Sequence, residues 1–187
     1  VSEDYSEELE AMEYWLEKRK FYGIGEIGID LYWEQKYIEE QKEAFRHQIH
    51  LAKSYQLPIV IHVRNSFEEV YSIVNNEQDG NLKGIFHCFT GTQVEAQKVI
   101  DVGFFMGIGG VVTFKNSNLG DVVKTVDINH LVLETDSPYL SPEPKRGWRN
   151  ESAYLAFVAQ KVAEIYNLSV EEVAEITTLN ARQLFGI

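Results

Sequence analysis

The chain has 187 residues, 44% of them hydrophobic and 25% charged, with one cysteine and a formal net charge of −12. A lone cysteine excludes an internal disulfide and favours a reducing, cytoplasmic setting, and no apolar run reaches the roughly 18 residues of a membrane span. The negative charge disfavours broad, salt-driven binding along duplex nucleic acid, so such a substrate needs a local basic patch, bound cations or both.

Residues 5–20 read as a helix with Leu9, Met12, Trp15 and Leu16 on one stripe. Residues 21–29 read as a strand entering a glycine-containing turn. A long helix is expected over 36–56, with Ile38, Phe45, Ile49 and Ala52 on one face. Pro58 stops it, and Ile59–Val63 form a strand. Ser66 and Glu69 have capping-box spacing and open a helix carrying Val70, Ile73 and Val74. Gly84–Cys88 form the next strand. Thr92 and Glu95 repeat the capping box, and Gly103 is placed to end that helix. Phe104–Gly109 form a strand, 118–126 are weakly helical, and Leu131–Thr135 form a fifth strand before a proline-rich loop over 137–150. Two or three helices close the chain, one opening at the box Ser169–Glu172.

Short apolar strands alternating with helices predict an α/β fold with a parallel sheet covered on both faces. No linker, low-complexity tract or short repeat interrupts it, so 1–187 is expected to be one domain or part of one. In such folds chemistry gathers where the strands end. Four residues of metal-ligand type fall there: Glu26, His62, His87 and Asp136.

Each has a plainer reading alone. Glu26 could cap a turn, and His62 and His87 could be satisfied core histidines. Asp136 ends an apolar run, where aspartate needs a partner. Together the four point to a divalent ion, because mixed carboxylate and imidazole donors suit Zn²⁺, Mn²⁺ or Mg²⁺. Glu134 alternates with Asp136 and is placed to orient a ligand or a water from behind. Cys88 reads as a buried structural thiol pointing away from His87. His47 and His50 lie mid-helix and read as surface residues, and His130 as a loop residue.

Arg64 shares the strand face of His62, where a guanidinium suits a phosphate oxygen; a salt bridge is the alternative. Lys145, Arg146 and Arg149 crowd into the loop that follows Asp136, with Trp148 and Asn150 beside them. That composition suits a sugar–phosphate backbone with a base stacked on Trp148, or a solvated loop paired with the acidic surface.

Gly25-Glu-Ile-Gly-Ile-Asp30, Ile61-His-Val-Arg64, Phe86-His-Cys-Phe-Thr-Gly91 and Leu133-Glu-Thr-Asp-Ser-Pro-Tyr-Leu140, in this order, resemble the TatD family of metal-dependent deoxyribonucleases. The loop 145–150 and the segment 180–185 match as well, so the resemblance covers essentially the whole chain. It implies a TIM-like (β/α) barrel with two metal ions per complete site. Glu26 would bridge them, His62 and His87 would hold one, and Asp136 would hold the other while orienting the attacking water. It also implies DNA as substrate, single-stranded or at strand ends, contacted by Arg64, Lys145, Arg146, Arg149 and Asn150. Small departures are Trp148, where a basic residue is usual, and Ser152, where a proline is.

A larger departure is the absence of the His-x-His pair that the family carries on its first strand. About five strands stand where a barrel of roughly 250 residues has eight, and the chain opens at Val1 instead of a methionine. A partial barrel lacking its first three strands is therefore expected, with the second ion weakly held and the isolated chain nearly inactive. Exposed sheet edges would favour self-association. An amidohydrolase acting on a small cyclic amide or lactone, and an inactive metal-poor scaffold, are the competing readings.

Overall fold

A computed structural model describes residues 4–33 and 35–187; the expected internal start at Val1 lies outside the described residues. Among the described residues seven α-helices and five strands follow in the order α1 (Tyr5–Lys18), β1 (Ile24–Asp30), α2 (Ile38–Tyr55), β2 (Ile59–Arg64), α3 (Phe67–Glu77), β3 (Gly84–Phe86), α4 (Gln93–Asp101), β4 (Phe105–Ile108), α5 (Leu119–Val123), β5 (Leu131–Leu133), α6 (Leu155–Tyr166) and α7 (Val170–Phe185). The strands stand in chain order in one sheet, giving the α/β fold of five parallel strands with flanking helices. The chain divides into two compact units, Val1–Ile85 with Leu184–Gly186, and Phe86–Gln183 with Ile187.

In the first unit β1 pairs in parallel with β2, and the register slips between Ile24 and Ile27. Alternating isoleucines place Ile27, Ile29, Ile59 and Ile61 in the core, where α2 adds Phe45 and Ile49 and α3 adds Val70 and Val74. Each such side chain contributes about 1.5–3 kcal/mol on burial. Gly28 lies opposite His62. Its φ is +140°, and a Cβ there would sit 2.1 Å from the His62 carbonyl oxygen, so only glycine lets the strands approach.

In the second unit β4 pairs in parallel with β5. Phe86, Phe104, Met106, Ile108, Leu131, Val158 and Val162 are among its buried apolar residues, with the Phe86 and Phe104 rings 6.0 Å apart at 63°. Asn180 of α7 donates to the carbonyls of Ile128 (3.0 Å) and Leu131 (2.8 Å), so a buried polar residue anchors the helix at the start of β5.

The helix signals are realised with one exception. Thr92 and Glu95 form the reciprocal capping box, Ser169 and Glu172 form another, and Gly103 adopts φ +77° just past α4. Ser66 does not cap α3. Its hydroxyl donates to the Ile29 carbonyl and accepts from the Arg64 amide. The serine ties α3 to β1 instead, because a buried hydroxyl must bond to whatever acceptor packing brings to it. All strands but β2 are shorter than expected, and at β3 and β5 the C-terminal ends are lost. β3 ends at Phe86, leaving His87 and Cys88 in a turn, and β5 ends at Leu133.

Candidate metal-binding residues

Glu26 is the third residue of β1, not its last. It falls where the register slips, and such a bulge re-aims a side chain without ending the strand. Its carboxylate Oε2 lies 3.9 Å from His62 Nδ1. The other ring nitrogen, Nε2, lies 3.2 Å from Asp30 Oδ2. A carboxylate can only accept, so this contact places the proton on Nε2 and leaves the Nδ1 lone pair facing Glu26. Asp30 is held in turn: Gln41, buried on α2, accepts from its amide (2.8 Å) and donates to its carbonyl (3.2 Å).

The second unit repeats the arrangement with the ring reversed. His87 Nδ1 lies 2.8 Å from Glu134 Oε2, and His87 Nε2 lies 3.7 Å from Asp136 Oδ1. The other Glu134 oxygen accepts the Cys88 amide. Gly107 makes room for this carboxylate, since a Cβ there would stand 2.5 Å from Glu134 Oε1. Cys88 and Asp136 both adopt positive φ, +46° and +55°. These turns swing the His87 and Asp136 side chains off the strand ends, so strand alternation does not govern them. Cys88 is half-buried rather than enclosed.

In both pairs the facing nitrogen and oxygen are too far apart for a hydrogen bond. Two donors on one ion, each about 2.0–2.2 Å from it, lie roughly 3–4 Å apart. Each imidazole is also steered by a carboxylate behind it, the support that metal-bound histidines carry. The residues present therefore fit a divalent cation. Asp30 is the supporting residue that sequence reading missed, although an aspartate ending an apolar run was the signal that singled out Asp136.

The other expected site residues divide. The Arg64 guanidinium lies 3.8 Å from the centroid of the Tyr32 ring. Arg146 lies 3.8 Å from the Phe114 centroid, and Lys145 lies 5.2 Å and 5.5 Å from those of Trp148 and Tyr154. Arg149 and Trp148 are exposed. Among the described residues these four cations form no ion pair, so the loop's charges are not spent on the acidic surface. Asn150, expected to touch substrate, is instead 3% exposed. Its amide donates to the carbonyls of Thr135 (2.7 Å) and Tyr139 (2.6 Å), and its Oδ1 accepts the Glu151 amide. It pins the loop around Asp136 and has no donor left for a ligand.

Other histidines are occupied as surface residues are. His47 Nε2 lies 2.7 Å from Glu13 and His50 Nε2 lies 3.1 Å from Glu77.

A family model described as TatD related DNase matches residues 1–186. The chain is 44% identical over 169 residues to the uncharacterized metal-dependent hydrolase YabD of Bacillus subtilis, covering 90% of this chain and 66% of that protein. It is 36% identical over 165 residues to the uncharacterized metal-dependent hydrolase YcfH of Escherichia coli K12, covering 88% and 62%. The chain thus spans about two thirds of the length of the curated relatives it matches. Among solved structures, the TatD homolog YjjV of Escherichia coli K12 superposes with a TM-score of 0.90 at 28% identity, over 96% of this chain and 70% of that one.

Proposed function

The chain belongs to the TatD family of metal-dependent hydrolases, and from that premise we propose that it serves the divalent-metal-dependent hydrolysis of phosphodiester bonds in DNA. The observation that carries the reading is the repeated unit of an imidazole facing a carboxylate, with a second carboxylate behind the ring. Glu26, His62, His87 and Asp136 would hold the metal, with two ions of the Mg²⁺, Mn²⁺ or Zn²⁺ type in a complete site. Ions so held would polarise the scissile bond and make water more acidic.

The chain's own residues do the rest. Asp136 takes the proton of the attacking water, and Glu26 contributes negative charge that positions the cations. Arg64, Lys145, Arg146 and Arg149 bind the phosphates and neutralise charge that grows in the transition state. The cations over aromatic rings favour a phosphodiester over an uncharged amide or lactone. The single cysteine supports a cytoplasmic setting, and no described helix is long and apolar enough to cross a membrane. Self-association through open sheet edges belongs to the same proposal.

The test is a comparison of substrates on one metal-loaded sample. A labelled oligonucleotide should be cleaved, chelation should stop cleavage, and raised salt should weaken it. Turnover of a cyclic amide or lactone, indifferent to salt and to Arg64→Ala, would replace this reading with the amidohydrolase one.

A further inference from the structure

Tyr32 and Trp33 follow β1 directly and are 53% and 76% exposed. Their rings meet edge to face, 4.7 Å apart at 90°. Arg64, at the end of β2, lies over Tyr32 at 3.8 Å and reaches within 5.4 Å of the Trp33 centroid. The group is built, not incidental. Asp30 Oδ1 accepts the Tyr32 amide at 2.8 Å, and the Leu31 amide donates to the Arg64 carbonyl at 2.9 Å. The same Asp30 carboxylate steers His62 through its other oxygen, so the aromatic pair is fixed beside the Glu26–His62 pair of its own unit.

The chemistry of this surface is specific. A guanidinium stacked on a ring still presents N–H edges that grip a phosphate. Exposed aromatic faces accept any base, because every base has a π face. Bases inside an intact duplex are already stacked and cannot reach such a platform.

We infer that Tyr32, Trp33 and Arg64 form a subsite for one unpaired nucleotide, its base stacked on Trp33 and its phosphate held by Arg64. The inference rests on the phosphodiesterase reading above and adds to it the residues that would seat an unpaired base.

The test reads binding alone, by fluorescence anisotropy of the 187-residue chain in chelator, so that nothing is cleaved. The probes are a labelled oligothymidine, an abasic deoxyribose-phosphate oligomer of equal length, and a blunt duplex. Trp33→Ala should weaken oligothymidine binding about tenfold, the size of one lost base–aromatic stack, and Trp33→Phe should restore most of it. The abasic oligomer and the duplex should bind weakly and ignore both substitutions. Trp33 is too exposed for its loss to unfold the chain, and circular dichroism checks this. Oligothymidine binding unmoved by Trp33→Ala, equal binding of all three probes, or no binding at all would overturn the subsite. Cleavage of DNA together with Trp33-independent binding would remove the subsite and keep the hydrolytic reading. Trp33-dependent binding by a protein that cleaves no DNA would do the reverse.

Discussion

Each candidate histidine is held by a carboxylate on the ring nitrogen that faces away from its partner in the candidate site. Glu134 sets the tautomer of His87 from 2.8 Å and so decides which ring nitrogen can bind an ion. Glu134→Gln should lower affinity for Mn²⁺ or Zn²⁺ by about 10- to 100-fold while leaving the far-UV spectrum unchanged. His87→Ala should abolish uptake at that position. Titration calorimetry on both variants checks this, and wild-type affinity in Glu134→Gln would remove its orienting role. The candidate ligands stood out in the sequence because imidazole and carboxylate in or just after apolar runs conflict with packing. Glu134 was singled out from its alternation with Asp136; both lie past the end of β5, and its place behind His87 comes from the fold instead. Asp30 was passed over although it too ends an apolar run, and its contact with the His62 ring is set by the fold; the role of Asn150 depends on backbone carbonyls brought close by the fold. Asn150 looked like a polar contact in a basic loop, and its burial is a tertiary fact.

Among elements, the order of helices and strands followed from apolar periodicity and capping residues, as at Thr92 and Ser169. The strand ends did not follow. His87 and Cys88 leave β3 because the Cys88 amide bonds the Glu134 carboxylate, a long-range interaction that no local pattern announces. The helix–helix junctions were equally silent. Tyr166 ends α6 with its single hydroxyl proton shared between the carbonyls of Val123 (2.7 Å), the last residue of α5, and Val126 (2.8 Å) just past it. Burial, and secondarily the Asp127 charge, push that hydroxyl above the usual tyrosine range. Its folded form thus holds the proton more tightly than the unfolded form. The stabilisation is present in full below about pH 10, where unfolded tyrosine ionises, and is lost as pH rises beyond it. Tyr166→Phe should cost about 1 kcal/mol at neutral pH and should flatten the alkaline loss of stability. Urea unfolding of both proteins on either side of about pH 10 reads the difference.

For the whole molecule, the match to YabD covers 66% of that protein. On the proposed reading, a polypeptide corresponding to the uncovered part should raise metal-dependent DNA cleavage when added in trans. Cleavage rates with and without that polypeptide measure it, and an unchanged rate would count against a shared site. The net charge of −12 was readable from composition, whereas the seating of cations on aromatic rings became visible only in three dimensions. One contact has a practical bearing on any attempt to retarget this protein. The Asn150 amide staples the basic loop to the carbonyl of Thr135, the residue directly before Asp136. A graft that exchanges the loop to suit another polymer would drag Asp136, the proposed proton acceptor, with it, so preference and turnover would shift together.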